Sequence, residues 1–126
     1  MKKTRIRKQS LQPLPKLKRK SLKSLQDYYR RKKLKCFVCQ SKADVMHHFI
    51  PQSQSAFLRY DERNLIPLCN SCHFRHHCTS DPTIHGIIQI KKGEMWFLEI
   101  NTLKKRYLDV NSRKFLEDKI NFYENN

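Results

Sequence analysis

Glycine is almost missing from this chain: its 126 residues contain two, Gly86 and Gly93. A loop that wraps phosphate in backbone N–H groups needs several closely spaced glycines, so nucleotide binding of the P-loop or Rossmann kind is excluded. Long apolar runs are missing too. No stretch of about 18 apolar residues occurs, and lysine and arginine stand where an apolar signal segment would, so neither a membrane span nor secretion is expected. Acids are scarcest where bases are densest. Residues 1–35 hold 15 Lys or Arg against one acid, Asp27, a net +14, and residues 36–126 hold 12 against 10, a net +2. A block of one sign repels itself and calls for a polyanion, usually nucleic acid; a solubilising tail and a membrane-surface segment are the plainer uses of such charge.

With 38% apolar residues the core is thin, and a domain this small needs a staple. Five cysteines in a chain with no secretory segment read as metal ligands more readily than as disulfides. Four of them form two pairs of the Cys-x-x-Cys type, Cys36 with Cys39 and Cys69 with Cys72. One such pair gives two ligands from a single backbone turn, and two pairs complete the tetrahedron of a structural Zn²⁺. The fifth, Cys78, is left as a spare or buried thiol. Between the pairs lie 29 residues, too many for a minimal ribbon, so a substantial element is looped out between the knuckles.

In chain order, residues 1–20 lack an apolar stripe of helical period and read as a disordered basic arm. Leu22, Leu25, Tyr28 and Tyr29 then recur at helical spacing, with Ser21 as N-cap of a short helix to about Lys33. Its basic end, Arg30, Arg31, Lys32 and Lys33, is a candidate phosphate-contacting face; a solvated face is the plain alternative. Asp44–Ile50 reads as a strand stopped by Pro51, residues 51–63 as a loop with a helical turn, and Asn64–Leu68 as a second strand. A helix starts near Asn70 and carries His73 and His77 one turn apart on one face, with His76 pointing away. Beyond Asp81–Pro82, Thr83–Ile90 has the β-branched content of a strand or extended cover. Lys91–Gly93 is a turn, and residues 94–108 form an amphipathic helix with Trp96, Ile100, Leu103 and Tyr107 on its apolar side. Ser112 caps a last helix to Tyr123 with Phe115, Leu116 and Ile120 inward. Lys104, Lys105 and Arg106 are an outer contact for nucleic acid.

His47-His48 on the first strand, Asn64 entering the second, and His73 on the helix with His77 behind it together resemble the HNH nuclease motif of the ββα-metal fold. Each of these alone has a bland use, as an exposed histidine or a turn-forming asparagine; the joint pattern carries the resemblance. The cysteine pairs are similar to those of the HNH subgroup whose ββα unit is bracketed by zinc. The order of basic arm, short helix, knuckle and ββα core, with "LRYDERN" before the asparagine, is similar to the phage NinG-type recombination nucleases. The histidine-rich doublet and helix lie closer to the colicin-DNase style.

The resemblance implies an α+β fold: a zinc-stapled ββα core at about 36–80 and a helical cover at 81–126, together a domain of residues 21–126 behind the 1–20 arm. It implies a metal-dependent endonuclease hydrolysing DNA, with RNA left open as a substrate. His48 would activate water, and Asn64 would bond loop backbone and orient that base. His47, His73 and His77 would hold one divalent ion, Mg²⁺ or Mn²⁺ in use, with Ni²⁺ or Zn²⁺ also suited to imidazole. Arg59, Arg63 and Arg75 are candidate phosphate clamps, exposed side chains being the plain reading of each. The expected partners are DNA, a second copy or a phage or host recombination protein, and the expected setting is the nucleoid of a bacterial or phage-infected cytoplasm. The alternative is a non-catalytic zinc-knuckle protein that binds nucleic acid through its arm.

Overall fold

A computed structural model describes residues 12–78, 82–108 and 112–126. The chain divides into two compact units, one drawn from Met1–Tyr28 with Asp109–Asn126, the other Tyr29–Leu108. Among the described residues no helix is long and apolar enough to cross a membrane.

The first unit pairs most of helix α1 (Leu14–Arg31) with α5 (Arg113–Asn125). Residues 14–20, expected in a disordered arm, are helical, and Ser21 is no N-cap: its hydroxyl donates to the carbonyl of Lys18 at 2.7 Å from inside the helix. Pro15 sits in the first turn, where a missing N–H costs nothing, and the carbonyl of Pro13 accepts from the N–H groups of Lys16 and Leu17. The stripe that matters is Leu17, Ser21, Ser24 and Leu25, all buried, and small serines rather than leucines occupy half of it. Residues 1–11 of the expected arm lie outside the described residues. On α5 the expected cap is present, Ser112 Oγ accepting from the N–H of Phe115 at 3.2 Å, with Leu116, Ile120 and Tyr123 buried. Tyr28 packs on the rings of Phe122 and Tyr123, with centroids 5.6 and 5.4 Å away.

The second unit is built on a hairpin-like pair. Strand β1 (Val45–His48) runs antiparallel to β2 (Leu65–Leu68), with Val45 opposite Leu68 and His48 opposite Leu65. Two 3₁₀ turns, Phe57–Arg59 and Glu62–Asn64, fill the connection, and Asp61 caps the second by accepting from the N–H of Arg63. Helix α2 (Asn70–Cys78) follows β2 after one residue. The strand expected over Thr83–Ile90 is instead helix α3 (Pro82–Lys92). Ile84 and Ile88, one turn apart, are both fully buried, and Pro82 takes the first helical position; that packing overrides a weak β preference. Gly93, at φ 95, breaks the chain before α4 (Glu94–Leu103). Helix α4 stops five residues short of the expected end, and Tyr107, expected on its apolar side, is 88% exposed. Phe49, Ile50, Leu58, Ile66, Leu68, Ile84, Ile88, Ile100 and Leu103 form the core with Cys36, Cys69 and Cys72.

Candidate functional site

The cysteines come together as the spacing predicts. In the first knuckle Gln40 takes a positive φ of 67 and its N–H donates to the carbonyl of Cys36, turning Cys39 back over Cys36. In the second, Cys69 is the one residue between β2 and α2, and Cys72 lies in the first turn of α2, its N–H donating to Cys69 Sγ at 3.4 Å. All four sulfurs lie within 4.8 Å of one another, and Cys39 Sγ is 3.6 Å from Cys69 Sγ. A tetrahedron with Zn–S bonds of about 2.3 Å has edges of about 3.8 Å, so the four thiols fit a zinc ion. Their ionisation is already biased. The Ser41 hydroxyl, then its backbone N–H, lowers the Cys39 thiol to about 6, while burial, then the neighbouring thiols, pushes Cys72 well up. The side chain of Cys78 lies outside the described residues.

A second donor cluster is made of histidines. His47, on β1 and 5% exposed, meets His73 and His77 of α2 at ring-centroid distances of 5.4 and 5.2 Å, and those two lie 4.4 Å apart. One ring nitrogen from each falls within a 4.8 Å group. Among the described residues the buried His47 Nε2 has no hydrogen-bond partner, a costly state for a polar atom unless something fills the space between the rings. Burial first, then the proximity of His76, His73, His77 and His85, lowers His47 to about 3. Burial also lowers His73. Neutral imidazole is the ligating form, so the donor set fits a cation.

Adjacent residues of a strand face opposite ways, and the doublet divides accordingly. His47 turns to α2. His48 turns to the connection, where its Nε2–H donates to the carbonyl of Arg59 at 2.8 Å. A carbonyl only accepts, so this bond fixes the neutral tautomer and leaves the lone pair on Nδ1, 3.5 Å from Gln52 Nε2. Burial is the main force lowering the pKa of His48, opposed by that same bond.

Asn64 is fully buried at the root of this arrangement. Its Oδ1 accepts from the N–H of Ile50 at 2.7 Å, and its Nδ2 donates to the carbonyls of Ile50 and Leu58 at 3.0 and 3.2 Å. Its own carbonyl accepts from the N–H of Phe49 at 2.9 Å. One side chain thus ties the exit of β1 to the connection that holds His48.

The expected phosphate clamps separate. Arg59 is 8% exposed and spends Nη2 on the carbonyl of Gln52, so it is no exposed clamp. Arg63 is held by Asp61 at 2.7 Å and Glu99 at 3.2 Å. Arg75 is exposed on α2, and Arg30 and Arg31 end α1 with Lys32 and Lys33 exposed beyond. His76 lies on the histidine face. Expected to point away, it lies 4.9 Å from His47 and 4.8 Å from His77, ring to ring, because i+3 and i+4 from His73 share one helical face. His85, missed altogether, stacks on Phe49 and His76; nothing in its sequence neighbourhood marks it.

A family model described as HNH endonuclease matches residues 36–79, the segment that contains both cysteine pairs, the His47-His48 doublet, Asn64 and α2. Residues 36–79 are an HNH endonuclease domain. No curated protein and no solved structure gave a match to the chain. An HNH domain supports nuclease-type activity in general and implies a nucleic-acid substrate, and HNH nucleases use divalent metals. Its boundaries include one knuckle at each end, so the cysteine cluster closes the segment on itself.

Proposed function

We propose that the protein is a metal-dependent endonuclease that hydrolyses DNA phosphodiester bonds, with His48 as general base and His47, His73 and His77 as ligands of the catalytic divalent ion. The orphaned, buried Nε2 of His47 between two helical histidines carries this reading. A divalent ion held there would supply the positive charge that polarises the scissile phosphate and stabilises the departing oxygen. His48 does the proton work. Its Nδ1 accepts a proton from the attacking water, and the imidazolium so formed keeps its Nε2–H on the carbonyl of Arg59, so no rearrangement accompanies the transfer. Asn64 holds that carbonyl's loop in register through Leu58 and Ile50.

Among the described residues the histidine group includes no carboxylate, and a set of three imidazoles suits Ni²⁺ or Zn²⁺ better than Mg²⁺. Electrostatics supply the approach to DNA. Arg30, Arg31, Lys32, Lys33 and Arg75 are the phosphate contacts of this reading, and Arg63 joins them only by leaving Asp61 and Glu99. The likeness of "LRYDERN" to the NinG-type nucleases directs the reading to phage or mobile-element DNA processing.

Nicking of supercoiled plasmid tests it, with the wild type compared with His48→Ala in EDTA and after adding Mg²⁺, Mn²⁺, Ni²⁺ or Zn²⁺. Metal-dependent nicking lost in the variant, with DNA binding retained, is the expected result. Equal nicking by both proteins removes His48 from the mechanism, and no nicking with any metal by a protein that binds DNA tightly favours the non-catalytic alternative.

A further inference from the structure

We propose that His85 is a positioning residue of the histidine site: its ring sets the separation between the strand that carries His47 and the helix that carries His73 and His77. The inference rests on the reading of those three as ligands. Phe49 follows the doublet directly and is 3% exposed, and its ring lies nearly flat on His85, with centroids 3.9 Å apart and planes at 14°. His85 is stacked in turn on His76, at 5.3 Å and 21°. His76 then meets His47 edge-on at 4.9 Å and His77 at 4.8 Å. A row of three rings therefore joins the end of β1 to α2 beside the ligands, and α3 supplies the middle one.

The middle ring is well anchored. Its chain neighbour Ile84 and its next turn, Ile88, are fully buried, so the backbone at His85 is fixed by the core rather than by the stack. Trp96 and Phe97 of α4 close on Phe49 edge-on, at 4.8 and 6.4 Å, and Trp96 Nε1–H donates to the carbonyl of Arg63 at 3.0 Å. Phe49 is boxed from both helices. A flat ring is a thin spacer, and an aliphatic side chain of similar volume is thicker, so replacing one by the other shifts β1 against α2. A metal site feels such a shift, because residues that only orient its ligands commonly change affinity by about tenfold or more. His85, Trp96 and Phe97 all lie beyond the matched segment 36–79, so this support comes from the chain's own helical cover.

The test is calorimetric titration of Ni²⁺ into the full chain with its cysteine site loaded with zinc and no DNA present. His47→Ala is the control for the ligand reading. His85→Phe keeps a flat ring without nitrogens, His85→Leu keeps bulk without flatness, and His85→Ala leaves a hole. Ni²⁺ binding about tenfold weaker in His85→Leu and His85→Ala, restored to within about twofold in His85→Phe, is the expected pattern. Wild-type affinity in either His85→Leu or His85→Ala overturns the proposal, and so does a His85→Phe as weak as they are, which would assign the effect to the ring nitrogens. Unchanged Ni²⁺ binding in His47→Ala overturns the ligand reading itself, and a loss there with none at His85 overturns only the inference.

Discussion

Truncating Asn64 to alanine should cost the second unit about 3–5 kcal/mol, a large part of the ~5–15 kcal/mol that holds a domain together. The side chain is fully buried and its three hydrogen bonds are to backbone: the N–H and carbonyl of Ile50 and the carbonyl of Leu58. Alanine leaves the N–H and the carbonyl of Ile50 unpaired, each at about 1–3 kcal/mol, less whatever a water entering the vacated space recovers, whereas the Leu58 carbonyl still accepts from the N–H of Asp61. Aspartate discriminates further. It is nearly isosteric and still accepts from Ile50, but it turns a bare oxygen on the two carbonyls, and its burial raises the folded pKa above the ordinary ~3.9 of the unfolded chain. A raised folded pKa means stability that is present below the unfolded value and lost as pH rises through the folded one, so Asn64→Asp suffers most near neutrality. Trp96 is the chain's one tryptophan and lies in the Tyr29–Leu108 unit, so its fluorescence in a urea titration of the zinc-loaded protein reads this unit by itself. A loss below about 1 kcal/mol for Asn64→Ala at pH 7 would refute the reasoning, since it would mean the freed backbone groups are satisfied without the amide.

Two further outcomes are expected. Because burial lowers the pKa of His48, the proposed base stays neutral below the ordinary imidazole value; kcat/KM should level off by about pH 6.5 and fall only as pH drops through the lowered pKa, and an inflection above 6.5 in the pH–rate profile contradicts it. Ser112→Ala should cost the first unit about 1 kcal/mol through loss of the cap on Phe115, read as a lower midpoint in circular dichroism with no change in Trp96 fluorescence; an unchanged midpoint would show the cap to be idle.

What was legible in the sequence is what close spacing dictates. Two Cys-x-x-Cys turns, a strand doublet stopped by proline, and His73 and His77 one turn apart were each specified within a few residues, and the structure brings the cysteines into one group and His47, His73 and His77 into another. What depended on packing was not. Thr83–Ile90 is β-branched and reads as strand by composition, but Ile84 and Ile88 are one turn apart, and only the presence of a core to receive them decides for helix. The start of α1 was obscured by two prolines whose positions before and inside the first turn are permissive, and by serines that line its buried face. His76 shares the face of His73 and His77 because a helical face is wide enough for i+3 as well as i+4, a breadth that one-turn spacing alone does not reveal. His85 belongs to a contact made across the fold, for which the sequence carries no periodic sign.

The two donor sets share one turn of backbone, and this couples them. Cys69 links β2 to α2, Cys72 lies in the first turn of α2, and His73, the next residue, donates its N–H to the carbonyl of Cys69 at 3.0 Å. Whatever fixes the two thiolates therefore fixes the first turn of α2, and His77 follows one turn later on the same face. The hydrogen bonds of a nine-residue helix do not supply that rigidity, because helices this short are marginal without tertiary support. Stripping metal from the cysteine site should consequently weaken metal binding at the histidine cluster although no histidine is touched. Substituting His47, His73 or His77 should leave the cysteine site intact, since its sulfurs are held by the two knuckles and by Ser41. The dependence runs one way because the knuckles lie at the roots of the elements and the histidines further along them.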